Sequence, residues 1–397
     1  MSKVKDQYEA YPYPARDPRD EKKRLIMGSP SHPLEMDHFV FGGARDWSKP
    51  LRALVAGGGT GDGLIQLAQI MQQAGKPCEI TYVDLSKASR RIAEERAKVR
   101  GLTTITFITG SLLDAPELGP FDYIDCCGVL HHLPDPAAGF TALRQALAPG
   151  GGLGFMVYAP YGRSGVYPLQ EAFGALYGDL PPRDRLKAAQ RVMKGLPDGH
   201  PFKANNNVTD HRDGDAGFYD LLLHSQDRAY DVPDLLAVLA ETGWQLSGFT
   251  TPALYQLEQL AERPEGMDDA TAMAVAEKLR GTIKTHVGYA VAADSGQTPA
   301  TAKNRNLTPH LKGVQAAELA RAVNQGNAPT IDLGGQKIRL QLPKTAAPLI
   351  AAINGRRSLN DIAAAANLDP FAFGAAWGRI EGQLAPAGLL LYSSIMR

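Results

Sequence analysis

"LVAGGGTGDG", residues 54–63, places five glycines in the seven positions 57–63, directly behind a short apolar run. A glycine turn between a strand and a helix is a nucleotide cradle, because backbone without Cβ atoms tolerates left-handed angles and approaches a ligand closely. Spacing separates the candidate ligands. A dinucleotide fingerprint, G-x-G-x-x-G, needs a small residue three places after its second glycine. Counted from Gly57 that place holds Asp62, and counted from Gly59 it holds Leu64. A phosphate-binding loop needs Gly-Lys-Ser/Thr, and Gly63 is followed by Leu64. What fits is G-x-G-x-G at Gly57, Gly59 and Gly61.

Outward from the turn, short apolar strands alternate with helical patterns. Strands are expected at 51–56, 78–84, 104–109, 121–127, 152–158, 244–250 and 284–294. The helix after the turn, DGLIQLAQIMQQAG, carries Leu64, Ile65, Leu67, Ile70 and Met71 at helical spacing. Such alternation predicts an α/β fold, a mostly parallel sheet with helices on both faces and ligands beyond the carboxyl ends of its strands. The alternation pauses at 161–230, which reads as a cap inserted over the site. Residues 1–50 read as an N-terminal arm, 51–294 as the core, and 295–306 (SGQTPATAKNRN) have linker composition. Residues 307–397 read as a small accessory domain.

Here the pattern resembles the class I S-adenosylmethionine-dependent methyltransferases. The glycine turn is similar to their first motif, and FDYIDCCGVLHHLPDP (121–136) to their fourth. LRQALAPGGGLGFMVY matches the helix, Pro-Gly turn and fifth strand that follow. The resemblance implies a Rossmann-like, seven-stranded core and S-adenosyl-L-methionine as cofactor. It further implies that Gly57, Gly59, Gly61 and Gly128 lie against the cofactor. Asp84, 27 residues after Gly57, would take the ribose hydroxyls, with Leu85 beside it. Ser111 stands where the family often has an adenine-binding Asp, so Ser111 and the backbone at Leu112 take that role. Val55 replaces a frequent acid two residues before the first glycine, a variation that leaves binding intact.

Methyl transfer from a sulfonium asks for alignment and exclusion of water more than for one universal residue. His131 and His132 follow the fourth strand and can face the methyl group, a neutral imidazole serving as base. Tyr158 and Tyr161, ending the fifth strand, form an aromatic wall. QYEAYPYPARDP (7–18) predicts a stiff, poorly helical arm whose Tyr8, Tyr13 or Arg16 closes over the cofactor, Arg16 pairing with its carboxylate. His224, Gln226, Asp227 and Arg228 cluster behind an apolar helix. That segment, 215–235, resembles bacterial methyltransferases with an appended regulatory region, some of which act on protein lysine.

The C-terminal stretch 342–393 resembles winged-helix modules that serve dimerisation or substrate docking, and a homodimer through it is expected. From Lys303 onward 11 Lys and Arg face 5 Asp and Glu, in a chain of zero net charge. Those charges are dispersed, and SLNDIAAAANL lacks Arg and Lys, so protein contact is expected rather than nucleic acid. Three cysteines make no disulfide framework and point to a reducing cytoplasm. No stretch reaches membrane-spanning length. The histidines lack metal-ligand spacing, so no metal is expected. The expected acceptor is a protein side chain, ahead of a small metabolite and then RNA. A non-catalytic, cofactor-binding assembly protein is the remaining reading.

Overall fold

LRALVA, TYVD and FDYIDCC are apolar on both sides, as strands covered on both faces by helices must be. In a computed structural model, which describes residues 3–327 and 329–396, they are inner strands of one seven-stranded sheet. Its strands are β1 (Leu51–Ala56), β2 (Cys78–Asp84), β3 (Ile105–Thr109), β4 (Phe121–Cys127), β5 (Leu147–Tyr158), β6 (Trp244–Phe249) and β7 (Thr285–Ala292). Their order is β3-β2-β1-β4-β5-β7-β6, with β7 antiparallel to both β5 and β6. The other pairs are parallel. Strand order reverses between β1 and β4, which opens a crevice at their carboxyl ends. The glycine turn leaves β1 at that crevice.

Alternation along each strand divides the core. Leu54, Ala56, Ile124, Cys126 and Phe155 pack on one face with Phe140 and Leu235. Ala53, Val55 and Tyr123 pack on the other with Leu64, Leu67 and Met71 of α3 (Asp62–Gln73). Two further helices matter to the site. They are α1 (Lys3–Ala10) and α2 (Pro33–Phe39), both in the N-terminal segment, while α4 (Lys87–Val99) follows β2. The arm expected to be poorly helical therefore begins as a helix. KVKDQYEA contains no proline, and the helix stops before Pro12 and Pro14.

Residues 161–230 form helices around their own apolar cluster, including Leu169, Phe173, Phe202, Phe218 and Leu222. Tyr11 of the arm packs against that cluster and stacks on Tyr219 at 5.0 Å. The stretch 295–306, of linker composition, is pinned to the core. Ala300 N donates to His38 O at 2.8 Å, and the Gln297 side chain bonds Val40 O and Gly150 O.

Among the described residues, the last ninety contain β8 (Thr308–Leu311), the hairpin of β9 (Thr330–Leu333) and β10 (Gln336–Arg339), four α-helices, and β11 (Leu390–Ser393). A winged helix places its hairpin after the helix pair. Here the hairpin follows one helix (Ala316–Asn324) and precedes the others, and β11 returns alone to pair with β8. The segment after the last helix holds one apolar run, LLLYS, enough for a single strand. β11 also joins the main core. Leu391 and Ile395 pack with Met36 and Phe39, Tyr392 N donates to His38 Nδ1, and buried Asp37 accepts from Ser393 and Ser394. No helix among the described residues is long and apolar enough to cross a membrane.

Candidate functional site

Gly57, Gly59 and Gly61 have φ of +67°, +52° and +98°, a region that strains any residue with a Cβ. A Cβ on Gly57 would fall 2.6 Å from both Val129 methyls, and one on Gly59 would fall 3.2 Å from the Tyr13 carbonyl oxygen. The turn is held from β2. Gly57 N donates to Val83 O at 2.8 Å, Tyr82 OH donates to Gly59 O at 2.6 Å, and Gly59 N donates to Asp84 Oδ2 at 2.8 Å. The other Asp84 oxygen accepts Ser86 N, also at 2.8 Å. Burial pushes the Asp84 carboxyl above the ordinary carboxylate range, against the pull of these two amides.

The other expected cofactor contacts sit around this turn in different ways. Leu85 is exposed beside Asp84. The Ser111 hydroxyl is engaged in a capping box, accepting Leu113 N while Asp114 accepts Ser111 N, so the backbone is what this segment leaves open. Leu112 turns its side chain into the core. Gly128 has φ +79° and bonds Met156 O across β5.

The arm lies on the turn. Thr60 Oγ1 donates to Pro14 O at 2.7 Å, and Ser86 Oγ donates to Tyr8 O at 3.2 Å. Tyr13 directs its hydroxyl away toward Asp210, at 3.4 Å. Arg16, expected to meet a cofactor carboxylate, is instead committed to Asp62. Its Nε and Nη2 lie 2.9 and 2.6 Å from the two oxygens, a bidentate pair at the first residue of α3. Arg96, fully buried, reaches the same carboxylate at 2.7 Å and Glu21 of the arm at 2.6 Å; Arg100 also pairs with Glu21. Burial raises the Asp62 carboxyl, but these two guanidinium groups outweigh it and hold the group low.

A second cluster forms beyond β4 and β5. His131 and His132 lie in the short turn after Gly128, and Tyr158 ends β5. The His131 ring centroid is 3.9 Å from that of Tyr158, and His132 stacks on His224 at 3.7 Å. Tyr161 does not join this wall; it sits beside Lys278, Asp231 and Glu277. Asp220 joins the cluster from the cap helix Gly214–Leu222. Its Oδ1 accepts Tyr8 OH at 3.0 Å and its Oδ2 accepts Tyr158 OH at 3.3 Å. The Arg163 guanidinium lies 3.6 Å from the Tyr158 ring centroid and 3.6 Å from Asp227.

The hydrogen bonds assign the tautomers. His224 Nδ1 accepts Gln226 N at 3.1 Å, so Nε2 carries the proton and faces Tyr8 OH at 3.2 Å. His132 Nδ1 faces the Gln226 carbonyl at 3.0 Å, so it carries the proton and leaves the Nε2 lone pair free. Burial holds His131 and His224 well below the usual histidine range and raises Asp220. Sequence reasoning marked the histidines, Tyr8 and Asp227, but missed Asp220 and Arg163. The available signal for Asp220 was one acid inside the apolar run FYDLLL.

A family model described as a methyltransferase domain matches residues 54–153. That span holds the glycine turn, Asp84 and the His131–His132 turn. Over those residues the chain is similar to a methyltransferase domain. An uncharacterized protein of Synechococcus is 33% identical over 265 residues, 64% of this chain and 61% of that relative's length. A ubiquinone biosynthesis O-methyltransferase of Leptothrix cholodnii is 30% identical over 95 residues, 23% of this chain and 39% of that enzyme. Among solved structures, PKMT2 from Rickettsia typhi superposes with a TM-score of 0.63 at 14% identity, covering 93% of this chain and 77% of that one. At that identity the likeness establishes the shared fold.

Proposed function

We propose that this chain is an S-adenosylmethionine-dependent methyltransferase acting on a small acceptor enclosed beneath the cap. The residues around the turn fit the cofactor. The turn has backbone angles that only glycine adopts without strain, and Asp84, which accepts Gly59 N and Ser86 N, can also accept the ribose hydroxyls. Gly57, Gly59, Gly61 and Gly128 would hold the methionine side. Leu85, Ser111 and Leu112 would flank the adenine, with Tyr13 of the arm above the turn. Arg16 acts through Asp62 rather than on the cofactor. When bound, S-adenosylmethionine supplies an electrophilic methyl group on a sulfonium. The protein's part is to hold the acceptor in line, exclude water and take up a proton where the acceptor carries one. His132 Nε2 and Asp220 are the groups able to take it, with Tyr158 and Tyr8 fixing Asp220.

Burial carries the choice of acceptor. His131, His132, Tyr158, Asp220 and His224 are each at most 8% exposed, beneath the cap and the arm. Such enclosure supports a metabolite over the protein side chain that the sequence pattern favours. Labelled methyl transfer into a lysate from a strain lacking this chain, fractionated by size, tests it. Label among small molecules supports the reading, and label on one discrete protein band overturns it in favour of protein methylation.

A further inference from the structure

His131 is fully buried, yet neither of its ring nitrogens has a hydrogen-bond partner. Buried polar atoms are satisfied almost everywhere in folded proteins, and an orphan of this kind marks a missing water, ion or ligand. The other groups facing it are also incompletely used. Asp227, its side chain 1% exposed, has Oδ2 bonded by Gln170 Nε2 at 3.1 Å and approached by Arg163 at 3.6 Å, while Oδ1 has no partner. His132 has its free lone pair at Nε2. One ligand atom from each of His131, His132 and Asp227 can be chosen so that all three lie within 4.8 Å of one another.

We infer that His131, His132 and Asp227 form a binding site for a divalent transition-metal ion, of the kind zinc occupies with two imidazoles, one carboxylate and an open fourth position. The outer contacts match this role. A metal-bound histidine ordinarily donates its other N–H to a carbonyl, as His132 does to Gln226 O, and a ligating carboxylate is itself hydrogen-bonded, as Asp227 is by Gln170. Neutral imidazoles are the binding form, and both orphaned nitrogens belong to one. Zinc ligands at about 2.0–2.2 Å from the ion stand roughly 3.4 Å apart, so the three side chains must close by about 1 Å, within reach of small rotamer changes.

A second group, His132, Asp220 and His224, is as compact. It does not offer the same chemistry. His224 accepts the Gln226 amide at Nδ1, so Nε2 holds the ring proton and has no lone pair for a metal. Asp220 already receives two tyrosine hydroxyls. The histidines therefore divide: His131 and His132 serve the ion, and His224 orients Tyr8.

Binding of the ion stands apart from methyl transfer, but its purpose rests on that reading. Arg163 also faces Asp227, so an ion here leaves a positive surplus that an acceptor bound as an anion would balance. A thiolate, phenolate or carboxylate on the open position meets that need, its acidity raised by the ion. With His132 occupied as ligand, Asp220 becomes the proton acceptor of the cluster.

The test is zinc titration of the full-length chain after chelator treatment, followed by calorimetry and by elemental analysis after gel filtration. Co²⁺ substitution supplies a visible spectrum as an independent readout. One equivalent is expected, weakened at least tenfold in both His131→Gln and Asp227→Asn, and retained in His224→Gln. Cofactor affinity measured on the same variants checks that they remain folded. Absence of stoichiometric zinc in the wild-type chain overturns the inference, as does binding unaffected by His131→Gln and Asp227→Asn. Loss in His224→Gln alone overturns the assignment to these three residues. If the chain fails to bind S-adenosylmethionine but still holds zinc at this site, the methyl-transfer reading fails and the metal site stands.

Discussion

Replacing Asp84 by alanine removes a side chain that joins the glycine turn, β2 and the entry to α4. Its two oxygens accept Gly59 N and Ser86 N, both at 2.8 Å. Hydrogen bonds to a charged group contribute about 1.5–3 kcal/mol each, and burial of the carboxylate works against them. The fold is therefore expected to lose only about 1–3 kcal/mol. Cofactor binding should suffer more. Two ribose hydroxyls donating to the same oxygens would together contribute about 3 kcal/mol or more, roughly a 100-fold change in dissociation constant. Asp84→Asn retains one acceptor oxygen and should lose about tenfold, on the same arithmetic. Calorimetric titration with S-adenosylmethionine gives the affinity, and far-ultraviolet circular dichroism checks folding. Unchanged affinity in a folded Asp84→Ala chain would refute the ribose assignment.

Asp125 on β4 is fully enclosed beneath Ser29 and Ser31, which donate to it at 3.1 and 2.5 Å, and burial pushes its carboxyl up to about 6. Because the folded value lies above the unfolded one, its contribution is most favourable at acid pH. About 3 kcal/mol is lost as pH rises from below 4 to above 6. Asp125→Asn should flatten that part of a stability–pH profile measured by denaturant unfolding; an unaltered slope would contradict the burial argument. Gly57→Ala should cost about 1–2 kcal/mol from the left-handed angle alone, with a further clash against Val129. Adding Val129→Ala should recover the clash but not the angle, a split readable in melting temperature and cofactor affinity together. Asp37→Ala strips the acceptor from Ser393 Oγ and Ser394 N and should destabilise the whole chain by about 2 kcal/mol, not only its last ninety residues. Two separate thermal transitions would contradict the shared core.

The sheet was legible because each strand is a short apolar run closed by Gly, Pro or Asp, and the alternation survives the long cap. β7 and β6 could be located as strands, but nothing local says that β7 enters between β5 and β6. The glycine turn and Asp84 could be read because they lie within one strand–turn–helix unit. The acceptor cluster could not. Tyr8 meets Asp220 across 212 positions, and His132 meets Gln226 across 94. Those contacts depend on how arm and cap fold over the sheet, which no spacing along the chain encodes. The convergence of His131, His132 and Asp227 is hidden for the same reason, since Asp227 reaches the histidines from the cap and not from their own segment. Arg16 was misread for a local reason. Asp62, two residues after the motif's threonine, competes for the guanidinium before any cofactor can. In the C-terminal region the helices after residue 342 could be read from local pattern, but not the pairing of β11 with β8, about eighty residues earlier.

The central claim is that the turn at Gly57, Gly59 and Gly61 holds S-adenosylmethionine. Its most direct test is calorimetric titration of the purified full-length chain with that cofactor, repeated with NAD and ATP and on Gly57→Val. One equivalent of S-adenosylmethionine, no binding of the other two, and loss of binding in a folded Gly57→Val chain is the result this account predicts. No binding by the wild-type chain, or equal binding by Gly57→Val, would contradict it.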